Sequence, residues 1–484
     1  MTTDKIIIDK QNMTIKSFLI TFFFLFGVST YAQQISRTDE LFIDSLTNAN
    51  YNANGPGVVI LIAKKGVPVF KKAYGLANIE LNVKNKPDNL FNIGSMSKQF
   101  TSISILKLVQ EGKLNLTDDI KKHLPDYNTQ GRKITIENIL RHTSGIFNYT
   151  AKEDFLSKSV TDISKDDLKK SFMNDSLIFD PNTNWSYCNS GYVLAALIVE
   201  KVSGKPLDRF LHDQIFKPCG MNNTYLRNDD SIYINSASCY EEIGDNKFIP
   251  ANYISSTFAF GAGGIISTVD DLLKYNNALL SEKIITKEFL ELAWTPYVLP
   301  DGKSTNYGLG WAVGNYKGLK FASHGGSWSG FKSYGVLFPT EQLYVVILSN
   351  TNSLTFVPYC ASIAFRIAGK QLSSPSKIKP DNKTLQEYKG VYSITSPEFN
   401  LKPMLRHVTI SNDTLFSQII DDEDEKIPLV YTDKDFFSIK NSAKKFQFIR
   451  DKKNKIISLE VYNEPIQYGP RQTNIKTDKQ LPTK

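Results

Sequence analysis

Apolar residues in "LFNIGSMSKQFTSISILKLVQEGKL", residues 90–114, fall on a helical period. Phe100, Ile103, Leu106 and Val109 step by three, Ile105 and Leu108 widen the face, and Gly112 stops the run. Helical patterns then dominate to about residue 280. Either side of this middle the pattern changes. "GVVILIAKKGVPVFKKAYG", residues 57–75, predicts two strands around a Lys65-Gly66 turn. "LKFASHGGSWSGFKSYGVLFPTEQLYVVILSN", residues 319–350, returns to strands broken by Gly and Pro. Strands at both ends and helices between them predict an α/β (α+β) unit: one antiparallel sheet built from the two ends, flanked by helices, with a helical subdomain inserted.

Beyond the polar stretch "QLSSPSKIKPDNKT", residues 371–384, the period drops to two. "HVTISNDTLFSQI" alternates around Asn412-Asp413, and "FQFIRDKKNKIISLEVY" around a polar turn, so both read as hairpins. A small antiparallel barrel or sandwich is expected here. The tail after Gly469 is polar and reads as disordered.

At the other end, "MTIKSFLITFFFLFGVSTYAQQ" has a lysine, an apolar run from Phe18 to Val28 and small residues ending at Ala32. That is the layout of a secretory signal, with Met13 as an alternative start, and the run is short for a membrane span. Export to the periplasm or medium is the expectation.

Composition narrows the class only a little. The 484 residues are 41% hydrophobic and 22% charged, which is ordinary for one large or two smaller globular domains. The net charge of +8 is scattered, with no basic stripe interleaved with aromatics, so nucleic acid is not an expected partner. The acidic run at 421–425 reads as a solvated turn. Cys188, Cys219, Cys239 and Cys360 lack paired spacing and the five histidines are dispersed, so neither a zinc site nor a disulfide framework is indicated.

Candidate chemistry starts at Ser95 and Lys98. Three residues apart at a helix start, they share one face, with Cβ atoms roughly 5–6 Å apart. A nucleophilic hydroxyl needs a base and oxyanion donors. The lysine can be the first, burial would favour its neutral amine, and the Ser95 N–H at the positive helix end can be one of the second. Ser-x-x-Lys alone is weak evidence. It recurs at Ser104/Lys107, Ser329/Lys332, Ser374/Lys377, Ser376/Lys379 and Ser442/Lys445. Two further segments give it context. "WSYCNSGYVLAALIVEKVSGK" presents Tyr187 and Asn189 before an apolar helix, and "SHGGSWSGF" presents His324 with Gly325 and Gly326, where a strand must approach another chain closely.

Ser-x-x-Lys, Tyr-x-Asn and then His-Gly-Gly in place of Lys-Thr-Gly resemble the three-motif order of the serine β-lactamase-like superfamily, in its class C β-lactamase, DD-peptidase and esterase branch. "LVQEGKLNLTDDIKKHLPDY", "ITIENILRHTSGI", "FDPNTNWSYCNSGY", "IFKPCGMNNT", "GAGGIISTVDDLLKY" and "YGLGWAV" are similar to that family's recurring segments, over about residues 35–369. The resemblance implies a β-lactamase/transpeptidase-like fold and an exported serine hydrolase that forms an acyl-enzyme on ester or amide substrates, D-amino-acid peptides included. β-Lactamase or DD-carboxypeptidase activity is the alternative, and a catalytically idle binding or assembly protein the second.

It also implies roles. Ser95 is the nucleophile, Lys98 and Tyr187 share proton handling, and Asn189 holds the substrate amide. The N–H groups of Ser95 and Ser327 form the oxyanion hole. His324, Gly325, Gly326 and Ser327 make the substrate-binding third motif. His142 in "RHTSG" reads as structural, and Cys188 as packing. No metal or organic cofactor is implied, and the oligomeric state is left open. His324 stands where a charged lysine would anchor a carboxylate, which favours esters and amides over β-lactams. The expected division is a signal peptide at 1–32, a hydrolase domain at 33–370, a linker at 371–384, a lipocalin-like barrel at 385–469 and a disordered tail at 470–484.

Overall fold

The computed structural model describes residues 34–244, 247–352, 356–370, 380–394, 404–419, 426–439, 444–463 and 472–477. The expected signal peptide, the acidic run and most of the expected linker lie outside them. Among the described residues no helix is long and apolar enough to cross a membrane.

A six-stranded antiparallel sheet organises the larger part of the chain. Its order is Ala312–Tyr316, Leu319–Trp328, Phe331–Phe338, Leu343–Ser349, Val58–Lys64 and Val67–Tyr74. The strands at 57–75 and 319–350 therefore do form one sheet, joined where Val58 pairs with Ser349 and Lys64 with Leu343. The Val58–Lys64 strand is apolar from Val58 to Ala63, where both its faces are covered. Val59, Leu61 and Ala63 join the core on the helical side, while Val58, Ile60 and Ile62 face the helices Arg37–Asn50 and Phe356–Ile367. Lys65 and Gly66 both take positive φ in the hairpin turn that follows.

The helical side carries the helix Ser97–Gln110, which is enclosed on nearly all sides rather than half-exposed. Its polar residues are buried with partners: Thr101 Oγ1 donates to the Gly261 carbonyl at 2.7 Å, and Ser97 Oγ accepts the Ile265 N–H at 3.0 Å. That enclosure is what places Lys98 in the interior.

The C-terminal strands, from Gly390–Ile394 to Gln472–Thr477, form a closed eight-stranded barrel. Asn412 and Asp413 take positive φ at the tip of one hairpin, as the alternating pattern requires. The barrel is filled by side chains, among them Tyr392, Leu415, Phe437, Phe446 and Phe448. Two boundaries differ from expectation. The helix Asn382–Tyr388 begins inside the expected linker, because Leu385 and Tyr388 are buried against the barrel core. The strand Gln472–Thr477 lies in the expected disordered tail. It closes the barrel by pairing with both Gly390–Ile394 and Ile456–Asn463, and Asn474 is fully buried and donates to the Leu459 carbonyl. Backbone pairing and one interior amide order a segment whose composition is that of a tail.

Candidate active site

Ser95 sits in the 3-10 turn Gly94–Met96, one step before the helix proper. Gly94 makes this possible. Its φ is +49°, and a Cβ there would lie 2.6 Å from the Ser327 carbonyl oxygen and 2.7 Å from the Ser327 nitrogen. Gly326 is equally tight: a Cβ there would meet the Ile93 carbonyl oxygen at 1.9 Å. The third motif therefore packs directly on the chain that delivers Ser95.

Lys98 Nζ lies 3.1 Å from Ser95 Oγ, 2.7 Å from Asn189 Oδ1 and 2.7 Å from the Ala262 carbonyl oxygen. The last two partners can only accept. A neutral amine has two N–H bonds and one lone pair, so with both N–H bonds committed the lone pair is left for the Ser95 hydroxyl. Burial pushes Lys98 from its ordinary 10.5 down to about 7. The arrangement can thus accept the Ser95 proton near neutral pH. The Tyr187 ring covers the amine, with its centroid 4.9 Å from Nζ.

Asn189 opens the helix Asn189–Ser203 and donates through Nδ2 to Thr150 Oγ1 at 3.0 Å. The Ala262 carbonyl is delivered by a break in the helix Ser256–Gly263, where Phe260 has φ 39° and ψ −128°. Nothing in the sequence marks a backbone acceptor of this kind.

His324 occupies a different place from the one its motif suggests. It is 1% exposed and does not line the cavity beside Ser95. Its Nδ1 lies 2.5 Å from the Gly325 carbonyl oxygen, so Nδ1 carries the proton and Nε2 accepts from the Tyr307 hydroxyl at 2.9 Å. Burial, with Lys98 nearby, depresses it to about 3. It is a neutral group behind Tyr187, with ring centroids 6.4 Å apart, and not a cation facing substrate. An apolar, aromatic enclosure accounts for the difference.

His142 is more than a buried filler. It caps the helix Ile136–Arg141, itself started by a capping box between Thr135 and Asn138, and takes the left-handed φ of 62°. Its carbonyl accepts the Ser186 N–H at 3.0 Å, Nδ1 accepts the Cys188 N–H at 3.1 Å, and its ring lies 4.4 Å from that of Tyr187. It therefore grips the chain on both sides of Tyr187. Cys188 is buried, its thiol directed at the Ile146 carbonyl and pushed upward by burial, as packing requires. All four cysteines are free.

A cavity of about 250 Å³ opens at Ser95, with Asn189 and Ser327 in its lining and Tyr149, Phe155, Phe258 and Trp328 forming much of the rest. Ser95, Lys98, Tyr187, Asn189 and Ser327 are brought together; His324 stands behind them. Sequence reading missed Thr150, Tyr149, Phe155 and Phe258, which lie outside the quoted segments, and Ala262, which lies within one but acts through its backbone.

Comparison with known proteins gives this geometry its setting. Residues 43–365 match the Beta-lactamase family model. Penicillin-binding protein 4* of Bacillus subtilis (strain 168) is 31% identical over 309 residues, 60% of this chain and 67% of that protein. Protein flp of Staphylococcus aureus (strain MRSA252) is 29% identical over 315 residues, 63% of this chain and 61% of that one, so the chain spans about three fifths of the latter's length. Among solved structures, the octameric penicillin-binding protein homologue from Pyrococcus abyssi superposes with a TM-score of 0.63 at 24% identity, covering 90% of this chain and 99% of that one. A D-stereospecific amidohydrolase from Streptomyces sp. gives 0.59 at 24%, over 68% and 99%. At these identities the structural likenesses speak to the fold. The family match, spanning most of the chain, together with the relatives, establishes that this chain belongs to the Beta-lactamase family and has the serine β-lactamase fold.

Proposed function

We propose that the chain is an exported serine hydrolase that acts on esters or amides, D-amino-acid peptides among them, through an acyl-enzyme at Ser95. The observation that carries this reading is the commitment of Lys98: two pure acceptors hold its N–H bonds and leave its lone pair to Ser95. In the first step the Ser95 proton passes to Lys98 Nζ as Oγ bonds to the substrate carbonyl carbon. The N–H groups of Ser95 and Ser327 receive the developing oxyanion. Tyr187 and Lys98 return the proton to the leaving group, and a water then releases the acyl group by the reverse path. Gly325 and Gly326 keep the strand close enough for substrate to lie along it.

β-Lactamase or DD-carboxypeptidase action is the second reading, favoured by the family. The neutral, enclosed His324 weighs against it, because it offers no charge to a substrate carboxylate. A binding or assembly role without catalysis is disfavoured by the retention of Ser95, Lys98 and Tyr187 together. The leader at 1–32 supports export, and we assign the C-terminal barrel gating or assembly, since among the described residues its core is filled and carries no nucleophile–base pair.

A panel decides among these readings: nitrophenyl esters, a chromogenic cephalosporin and D-aminoacyl amides, each with the native chain and with Ser95→Ala. Ser95-dependent ester or amide turnover is expected. Cephalosporin turnover exceeding both would favour the second reading.

A further inference from the structure

One wall of the cavity has a chemistry that the acyl-enzyme scheme does not use. Tyr149, Phe155 and Phe258 form a continuous aromatic surface, with Phe155 edge-on to Tyr149 at 5.8 Å and to Phe258 at 6.2 Å between centroids. The polar atoms within it are turned on one another. The Tyr149 hydroxyl donates to the Phe258 carbonyl, and Thr150 Oγ1 accepts from Asn189. Ile254 and Ala259 extend the apolar lining, and among the described residues no charged side chain lines the cavity.

Besides Lys98, whose Nζ lies 3.1 Å from Ser95 Oγ and 2.7 Å from Asn189 Oδ1, two charges reach serines of the third-motif segment. Lys332 Nζ donates to Ser327 Oγ at 3.1 Å, and Glu241 Oε1 lies 3.5 Å from Ser329 Oγ. The aromatic wall adjoins Asn189, the residue expected to hold the substrate amide, and with that amide on the acyl side the wall faces the acyl group.

We propose that this wall selects the acyl group: neutral and apolar, aryl or branched alkyl, and not one bearing a free ammonium or carboxylate. The proposal rests on the serine-hydrolase reading and chooses among its substrates, placing N-blocked acyl groups and simple esters ahead of free D-aminoacyl groups. A ring laid on the wall removes apolar surface from water on both partners. A carboxylate or ammonium there loses its hydration and meets no counter-charge, and the pull of ring faces on an ammonium does not make up that loss. Contacts with a non-reacting group are made in ground and transition state alike. They therefore lower KM and raise kcat/KM with little change in kcat.

The test uses the full chain and matched pairs of esters, each rate divided by that ester's hydroxide-catalysed rate. Nitrophenyl phenylacetate should exceed nitrophenyl acetate in kcat/KM by about 10–100-fold. Nitrophenyl 4-methylpentanoate should exceed the isosteric nitrophenyl hydrogen succinate, whose carboxylate stays charged, by at least about 100-fold. N-acetyl-D-phenylalanine methyl ester should exceed D-phenylalanine methyl ester, both assayed well below the α-amino range of roughly 7.7–8.0, which the ester lowers further, so that the free amine is charged. Phe155→Ala and Phe258→Ala should each shrink the phenylacetate-to-acetate ratio. A ratio is insensitive to the folded fraction, because misfolding lowers both rates together.

Equal or greater turnover of acetate, of the hydrogen succinate or of the free amino ester overturns the proposal while leaving the hydrolase intact. Equal turnover by Ser95→Ala, with no covalent label at Ser95, overturns the hydrolase reading and this inference with it.

Discussion

Lowering the pH through neutrality should switch the chain off, and Lys98 is the group that does it. Burial holds its ammonium at about 7, against an ordinary 10.5. At the ordinary value only about one lysine in 3,000 is neutral at pH 7, and at the depressed value about half are, a gain of about 10³ in available base. The expected profile of kcat/KM is flat above about pH 8 and falls with unit slope below about pH 7, so that at about pH 5 it stands ~10²-fold under the plateau. A limb near 7 usually suggests histidine, but here the two histidines beside the site are excluded. His324 is depressed to about 3, and His142 is held well below its ordinary value by burial and by the charge on Lys98.

The same shift has a signature in stability. Lys98 has a lower pKa folded than unfolded, so between about 7 and 10.5 the unfolded chain binds more protons. Stability contributed by this group therefore rises with pH across that window, by at most about 1.4 kcal/mol per unit, and its cost is complete below it. The assay is initial-rate hydrolysis of a neutral nitrophenyl ester in constant-ionic-strength buffers, corrected for spontaneous hydrolysis. A limb near 10, or activity independent of pH down to about 5, would refute the buried neutral amine as base.

Three further outcomes follow from the same geometry. Tyr187→Phe should lower kcat by ~10²–10⁴-fold with KM little changed, and combining it with Lys98→Ala should cost less than the product of the two, as steady-state kinetics on the four proteins would show. Gly94→Ala should lower kcat/KM by at least about tenfold in a chain that still folds, because its Cβ would push Ser327 off Ser95; rates together with circular dichroism separate the two effects. His142→Asn tolerates the left-handed φ and keeps an acceptor for the Cys188 N–H, so it should stay near native, whereas His142→Phe should lose about 10–100-fold in kcat. In a Tyr187→Phe background that loss should largely vanish, whereas an unchanged loss would mean that His142 does not act through Tyr187.

The parts legible in the sequence were those carried by local period or close spacing. The apolar runs of Val58–Lys64 and Leu343–Ser349 announce strands covered on both faces, and Asn412-Asp413 between alternating residues announces a hairpin. Ser95 and Lys98 are three apart, so their proximity is a property of one turn. The other partners of Lys98 are 91 and 164 positions away, and one of them is a backbone carbonyl aimed by the turn at Phe260, which leaves no mark in residue type. His324 was visible as a motif residue, but its orientation was not, because that depends on Tyr307 and on the closeness of two glycine-bearing segments. The strand Gln472–Thr477 was hidden for a related reason: its order comes from partners across the barrel rather than from its own side chains.

The central claim is that Ser95, made nucleophilic by the lone pair of Lys98, becomes acylated. The most direct measurement is covalent labelling with a fluorophosphonate, followed by mass spectrometry of the modified peptide. A single adduct on Ser95 is expected, formed faster above about pH 7 than below it and absent from Ser95→Ala. An adduct at another residue, or equal labelling of Ser95→Ala, would contradict the account.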